Sequence, residues 1–250
     1  MTAESTVPSQ DASASTSAMT IFEHLAELRH RIMISAVAFV LGAIVSYITY
    51  SRILTWLREP LCHADSHNCS LYVTGPLEGF GTHLDITGYG GLLIASPVIL
   101  FQLWRFITPG LKASERRYAI PFVVSTLALF LLGAYVAWLT FPHALGFLRA
   151  ASGSGIQEIL SPQKYLNLLL ALMAIFGLTF EFPVVLIGLE LARVVTPAQL
   201  KKFRRPAIII IVVASGVLTP SSDPFSMLAM AVPMLVFYEA SIAIGRLLKR

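Results

Sequence analysis

The chain has 250 residues, of which 56% are hydrophobic and 13% charged. Its mean hydropathy of +0.73 excludes an ordinary soluble domain in favour of a polytopic membrane protein. The net charge of +4 needs no nucleic-acid partner, because all but four of the 18 Lys and Arg fall where alternating spans place them on one side of a membrane. The four are Arg52, Arg58, Arg149 and Lys164. By the positive-inside rule the majority side is cytoplasmic, which puts both termini inside and requires an even number of spans.

Residues 1–19 are rich in Ser, Thr and Ala and carry no Lys or Arg. They read as a disordered cytoplasmic tail rather than a signal peptide, which leaves residues 20–250 as one membrane domain. Thr20 and Glu23 have capping-box spacing, so a helix should start at Ile21. IFEHLAELRHR puts Phe22, Leu25, Leu28 and Ile32 on one face, as expected of a short helix lying on the membrane surface.

Span 1 is predicted over about Ile32–Tyr50, followed by a long outer segment to about Gly88 in which PLEGFGTHLDIT is a second candidate interfacial helix. Span 2 covers about Tyr89–Ile107, with Pro97 inside it, and TPGLKASERR makes a short inner loop. Span 3 covers about Ala119–Phe141, and Pro142–Ser161, with its SGSG, reads as an outer loop. Ser161 and Pro162 form a conventional start for span 4. Thr196, Pro197 and Gln199 then mark a capped inner helix.

Span 5 is only Ala207–Leu218, about 18 Å at ~1.5 Å per residue, short of the ~30 Å hydrocarbon layer. Span 6, about Phe225–Ile244, carries Pro233 and completes a short hairpin. Asp223 before Pro224 suits the cap of span 6. The expected fold class is an all-α integral membrane protein with six spans, spans 5 and 6 short.

No phosphate-binding glycine loop with Lys, HExxH or dinucleotide glycine fingerprint occurs, so neither enzyme chemistry nor a cofactor is expected. CHADSHNC holds Cys62, His63, His67 and Cys69. A Cys62–Cys69 disulfide, free thiols and a metal site are the alternatives, and the spacing argues against the metal.

Glu181 lies within a long, predominantly apolar run from Tyr165 to Leu191, two residues before Pro183. A carboxylate at membrane depth costs on the order of 3 kcal/mol, so it normally faces protein or a water-filled cavity and has a function; the alternative is a helix-packing role. On the cytoplasmic side, Glu27 precedes Arg31 by four residues, the spacing of a helix ion pair. Glu115 stands near the start of span 3, where it complements the helix dipole.

Taken together, FEHLAELRHR, SPVILFQLWRFITPGL with SERR, FGLTFEFP and LTPSSDPFS with the later VPM and YEA resemble the TatC family. These are the multispanning receptors of the twin-arginine protein translocase, and the match covers about residues 20–245. The resemblance implies a cup-like helical protein in the bacterial cytoplasmic membrane. Such a protein binds folded precursors through Arg-Arg signal peptides and exports them on the proton gradient.

The resemblance also implies TatB-like and TatA-like single-span partners along spans 5 and 6, self-association and contact with membrane lipid. Glu27 and Glu115 would accept the two arginines, since guanidinium pairs with carboxylate bidentately, with Arg29 and Phe106 shaping the site. Pro60 matches a family position outside the membrane, and Glu181 matches the intramembrane glutamate of the concave face. Thr219, Asp223 and position 227 match the partner-docking patch, where the family commonly has Gln and this chain has Met227, a weak acceptor. A proton-coupled small-solute transporter using Glu181 is the alternative reading.

Overall fold

The computed structural model describes residues 21–64, 69–107, 119–153, 159–191, 194–221 and 223–248, and every regular element among them is an α-helix. In chain order these are α1 (Ile21–Ile48), α2 (Tyr50–Ala64), α3 (Glu78–Ile107), α4 (Ala119–Ser152), α5 (Pro162–Phe180), α6 (Phe182–Leu191), α7 (Pro197–Lys202), α8 (Arg204–Leu218) and α9 (Pro224–Leu248). The tail at 1–19 lies outside the described residues.

Among the described residues, five stretches are long and apolar enough to cross a membrane: α1, α3, α4, α5 with α6, and α9. The sixth membrane helix, α8, has 15 residues, about 22 Å at ~1.5 Å each. Of the two spans expected to be short, only this one is, because α9 runs for 25 residues. The helices are also longer than their apolar cores suggest. The surface helix expected before span 1 is continuous with it in α1, and PLEGFGTHLDIT, from Glu78 on, runs into span 2 as the single helix α3.

Two further expectations are corrected. The outer segment contains α2, which carries Pro60 in its interior, and α4 continues through Pro142 to Ser152 where an outer loop was expected. Proline is tolerated in these helices because neighbouring groups satisfy the carbonyl it leaves unpaired. Pro97 shows how: it cannot donate to Leu93, and the Ser96 hydroxyl donates to that carbonyl instead, at 2.7 Å.

Packing puts α5 at the centre. Half of the apolar window of α5 and α6 is buried, against 11% for α1, and Leu166, Leu169, Leu170, Phe176 and Phe180 form the middle of the core. In contact order, α1 packs on α3, α3 on α5, α5 on α4, α6 on α9 and α9 on α8. The result is a curved wall ending in α1 on one side and α8 on the other, the expected cup.

Small residues set the closest crossings, as is usual where helix association depends on close packing rather than on water. A Cβ on Gly91 would stand 2.8 Å from the Ala43 backbone, and one on Gly42 would stand 2.6 Å from the Gly91 carbonyl. The buried Ser46 hydroxyl completes this seam by donating to the Ile86 carbonyl at 2.8 Å. Gly133 and Gly177 make the corresponding approach between α4 and α5.

Candidate functional site

The N-terminal part of α1 and the C-terminal end of α3 carry the first cluster. Arg31 donates through Nη2 to Glu27 Oε1 at 2.8 Å and through Nη1 to Gln102 Oε1 at 3.0 Å. The ion pair expected from spacing is therefore present, and it is anchored to α3 by a buried amide that sequence reasoning passed over. Glu27 Oε2 is buried and has no hydrogen-bond partner among the described residues. Arg29, two residues on, is exposed, and Phe106 is half-buried at the end of α3. Glu115 lies outside the described residues, as does all of 108–118.

The second cluster is in the membrane, at the junction of α5 and α6. Glu181 N–H bonds to the Leu178 carbonyl at 3.2 Å, a tightened last turn, and the helix resumes with Val185 N–H on the Glu181 carbonyl at 3.0 Å. Pro183 has no N–H to return to Thr179, which explains why span 4 breaks here. The Glu181 side chain is half-buried, and its Oε1 is buried with no hydrogen-bond partner among the described residues. On α4, the Thr126 oxygen accepts from the Trp104 indole of α3 at 2.7 Å.

Trp104 is close to the end of α3 and Thr126 close to the start of α4, so this bond ties the two helices near those ends. Neither Trp104 nor Thr126 was singled out from sequence. The same span holds a second carboxylate, Glu190, only 5% exposed. It packs so closely on Gly245 of α9 that a Cβ there would collide with it.

After α2, Cys62 and Cys69 are joined by a disulfide with Cα atoms 4.9 Å apart. Arg58 of α2 donates to the Cys69 carbonyl at 3.0 Å, and Tyr72 N–H bonds to the Leu160 carbonyl at 3.0 Å. The strap between α2 and α3 is therefore tied to both α2 and the entry of α5. His67 falls outside the described residues. Pro60 is buried and lines a cavity of about 730 Å³ with His63, Pro142, His143 and Phe225. The Trp56–Trp138 stack, 5.4 Å between centroids, holds α2 against α4 beside it.

At the α8–α9 turn, Asp223 is 1% exposed and caps α9, accepting from Ser226 N–H at 2.7 Å and from the Ser221 hydroxyl. Thr219 is buried and donates to the Ser215 carbonyl at 2.9 Å. Met227 packs beside Gly216 of α8. At the other end of the hairpin, Tyr238 donates to the Leu200 carbonyl at 2.7 Å, and Arg204 pairs with Glu239. The capping box of Thr196 and Gln199 forms as expected.

Comparison with known proteins agrees with this geometry. The family described as Sec-independent protein translocase protein (TatC) matches residues 23–233. A relative from Aquifex aeolicus, named Sec-independent protein translocase protein TatC, is 37% identical and covers 93% of this chain and 97% of its own length. One of the same name from Frankia casuarinae is 40% identical over 92% of this chain, which spans 66% of that longer relative. A crystal structure of the twin-arginine translocase receptor TatC superposes with a TM-score of 0.75 at 37% identity, covering 91% of this chain and all of the other. The chain is a multi-pass membrane protein that belongs to the TatC family of Sec-independent protein translocase proteins.

Proposed function

We propose that this chain is the receptor and core subunit of a twin-arginine translocase. It recognises Arg-Arg signal peptides at its cytoplasmic face and passes folded precursors across the membrane on the proton gradient. The observation that carries the reading is the Glu27 carboxylate. One oxygen is held by Arg31 and the other is buried with no partner among the described residues, on a helix end braced by Gln102. Such a group is already seated to accept a guanidinium, and it discriminates Arg from Lys because the planar fork can share the carboxylate with its resident pair.

Glu115 supplies the second acceptor in this reading, and Arg29 and Phe106 border the site. The basic connections at the same end put both termini in the cytoplasm. The work is recognition and transport rather than bond making.

TatB-like and TatA-like single-span proteins dock along α8 and α9. α8 packs on α9 and α7 and leaves Ile209, Val213 and Val217 exposed, a lipid-facing stripe beside the buried Thr219–Asp223 turn. Because α8 is short, the bilayer thins there or the turn lies recessed. The test is import of a folded Arg-Arg reporter into vesicles containing this chain with such partners. Import abolished by an uncoupler and by Lys-Lys substitution is expected; import of small solutes by the chain alone would contradict the reading.

A further inference from the structure

We propose that the corner between α7 and α8 is a binding site for an anionic phospholipid. An apolar groove beside α7 takes an acyl chain, and the basic run Lys201–Arg205 takes the headgroup phosphate. The proposal goes beyond the receptor reading and does not depend on it.

Two kinds of lining meet at this corner. A cavity of about 570 Å³ is bounded by the apolar Val194, Val195, Leu200 and Phe203 and by the polar Gln199 and Lys202. Its size lies within the range of about 300–1,000 Å³ usual for ligand pockets. Val194 and Phe203 are 67% and 53% exposed, so the apolar wall is uncovered. α8 begins directly after it and leaves Ile208, Ile209 and Ile210 exposed, as a helix facing hydrocarbon does. The cations therefore stand at the polar edge of a lipid-facing helix, the level of phospholipid headgroups.

The charge there is uncompensated. No Asp or Glu occurs between Glu190 and Asp223. Arg204 is taken by Glu239 of α9, but Lys201, Lys202 and Arg205 are exposed and pair with no carboxylate among the described residues. Gln199 adds a donor. Its Oε1 accepts from the Thr196 N–H at 2.8 Å and from the Thr196 hydroxyl at 3.0 Å, which fixes the amide and leaves its NH₂ protons facing away. They meet no acceptor among the described residues. Ammonium, guanidinium and amide donors beside an apolar groove match a phosphate that carries an acyl chain. The frame is held without a ligand: the Leu189 carbonyl receives the N–H groups of Val194 and Val195 at 3.0 and 3.3 Å, and Tyr238 donates to the Leu200 carbonyl at 2.7 Å.

The experiment uses the full chain in phosphatidylcholine nanodiscs. These carry a trace of phosphatidylglycerol or of phosphatidylcholine with a photoreactive acyl chain, and peptide mass spectrometry locates the adducts. Phosphatidylglycerol should label residues 194–203 in preference to phosphatidylcholine. That labelling should fall about fivefold for each charge removed in Lys201→Gln, Lys202→Gln and Arg205→Gln. It should persist in Lys202→Arg and in Arg52→Gln, which removes an exposed cation elsewhere. Unlabelled phosphatidylglycerol should compete, and inorganic phosphate should not. Because the substituted side chains are exposed, the melting temperature should stay near that of the wild type.

Equal labelling by the two lipids would overturn the proposal and leave the groove to an apolar partner without regard to headgroup. Competition by inorganic phosphate would overturn it too, reducing the corner to a simple anion site. So would undiminished phosphatidylglycerol labelling in a folded variant that combines Lys201→Gln with Lys202→Gln.

Discussion

Gln102 and Trp104, two residues apart on α3, hydrogen-bond different neighbours: Gln102 accepts from Arg31 of α1, and Trp104 donates to Thr126 of α4. The C-terminal end of α3 therefore ties α1, which carries Glu27, to α4.

Removing the first tie should weaken recognition without unfolding the chain. Gln102→Leu leaves Arg31 bonded to Glu27 alone, and the loss of a hydrogen bond to a charged group is about 1.5–3 kcal/mol. Equilibrium binding of an Arg-Arg signal peptide should fall roughly tenfold or more, while the melting temperature changes little.

The seam between α1 and α3 sets where Glu27 stands. Gly91→Leu would drive a side chain into the Ala43 backbone, an overpacking cost of about 1–3 kcal/mol. We expect α1 to separate from α3, seen as loss of a cross-link between engineered cysteines at positions 43 and 91 that otherwise forms readily. Peptide binding should weaken with it, even though neither residue touches the ligand.

Glu181→Gln should preserve folding and cytoplasmic peptide binding and impair deeper insertion of the signal peptide. Export at the normal rate in that variant would show that the carboxylate is dispensable.

The outer disulfide acts on a separate part of the molecule. Its short loop corresponds to about 2.5 kcal/mol in the chain-entropy account. Reduction should expose the strap to protease and thiol reagents while Arg-Arg binding stays unchanged. Asp223→Ala removes a buried cap, and about 1–2 kcal/mol of stability should go with it, read as a lower melting temperature and faster proteolysis of the α8–α9 turn.

What could be read from sequence follows from the range of the interactions. Spans, the basic side and the caps at Thr196 and Asp223 are local, set by hydropathy and by residues within one turn. α2 and the outer part of α4 were missed because Pro60 and Pro142 read as helix breakers, whereas contacts such as the Trp56–Trp138 stack sustain both helices. Gln102 was as visible in its span as Glu181, but a neutral amide raises no charge cost, and Arg31 is 71 positions away. Thr126 gave no signal because a buried hydroxyl in a membrane helix usually bonds its own backbone, as Thr140 does here.

The central claim is that Glu27 and Glu115 receive the two arginines. It is tested most directly by binding of a labelled Arg-Arg signal peptide, beside its Lys-Lys control, to the wild-type chain, Glu27→Gln and Glu115→Gln in nanodiscs. The account predicts Arg-selective binding in wild type and its loss in both variants with the fold intact. Selective binding that survives both substitutions would contradict it and return the two glutamates to structural roles.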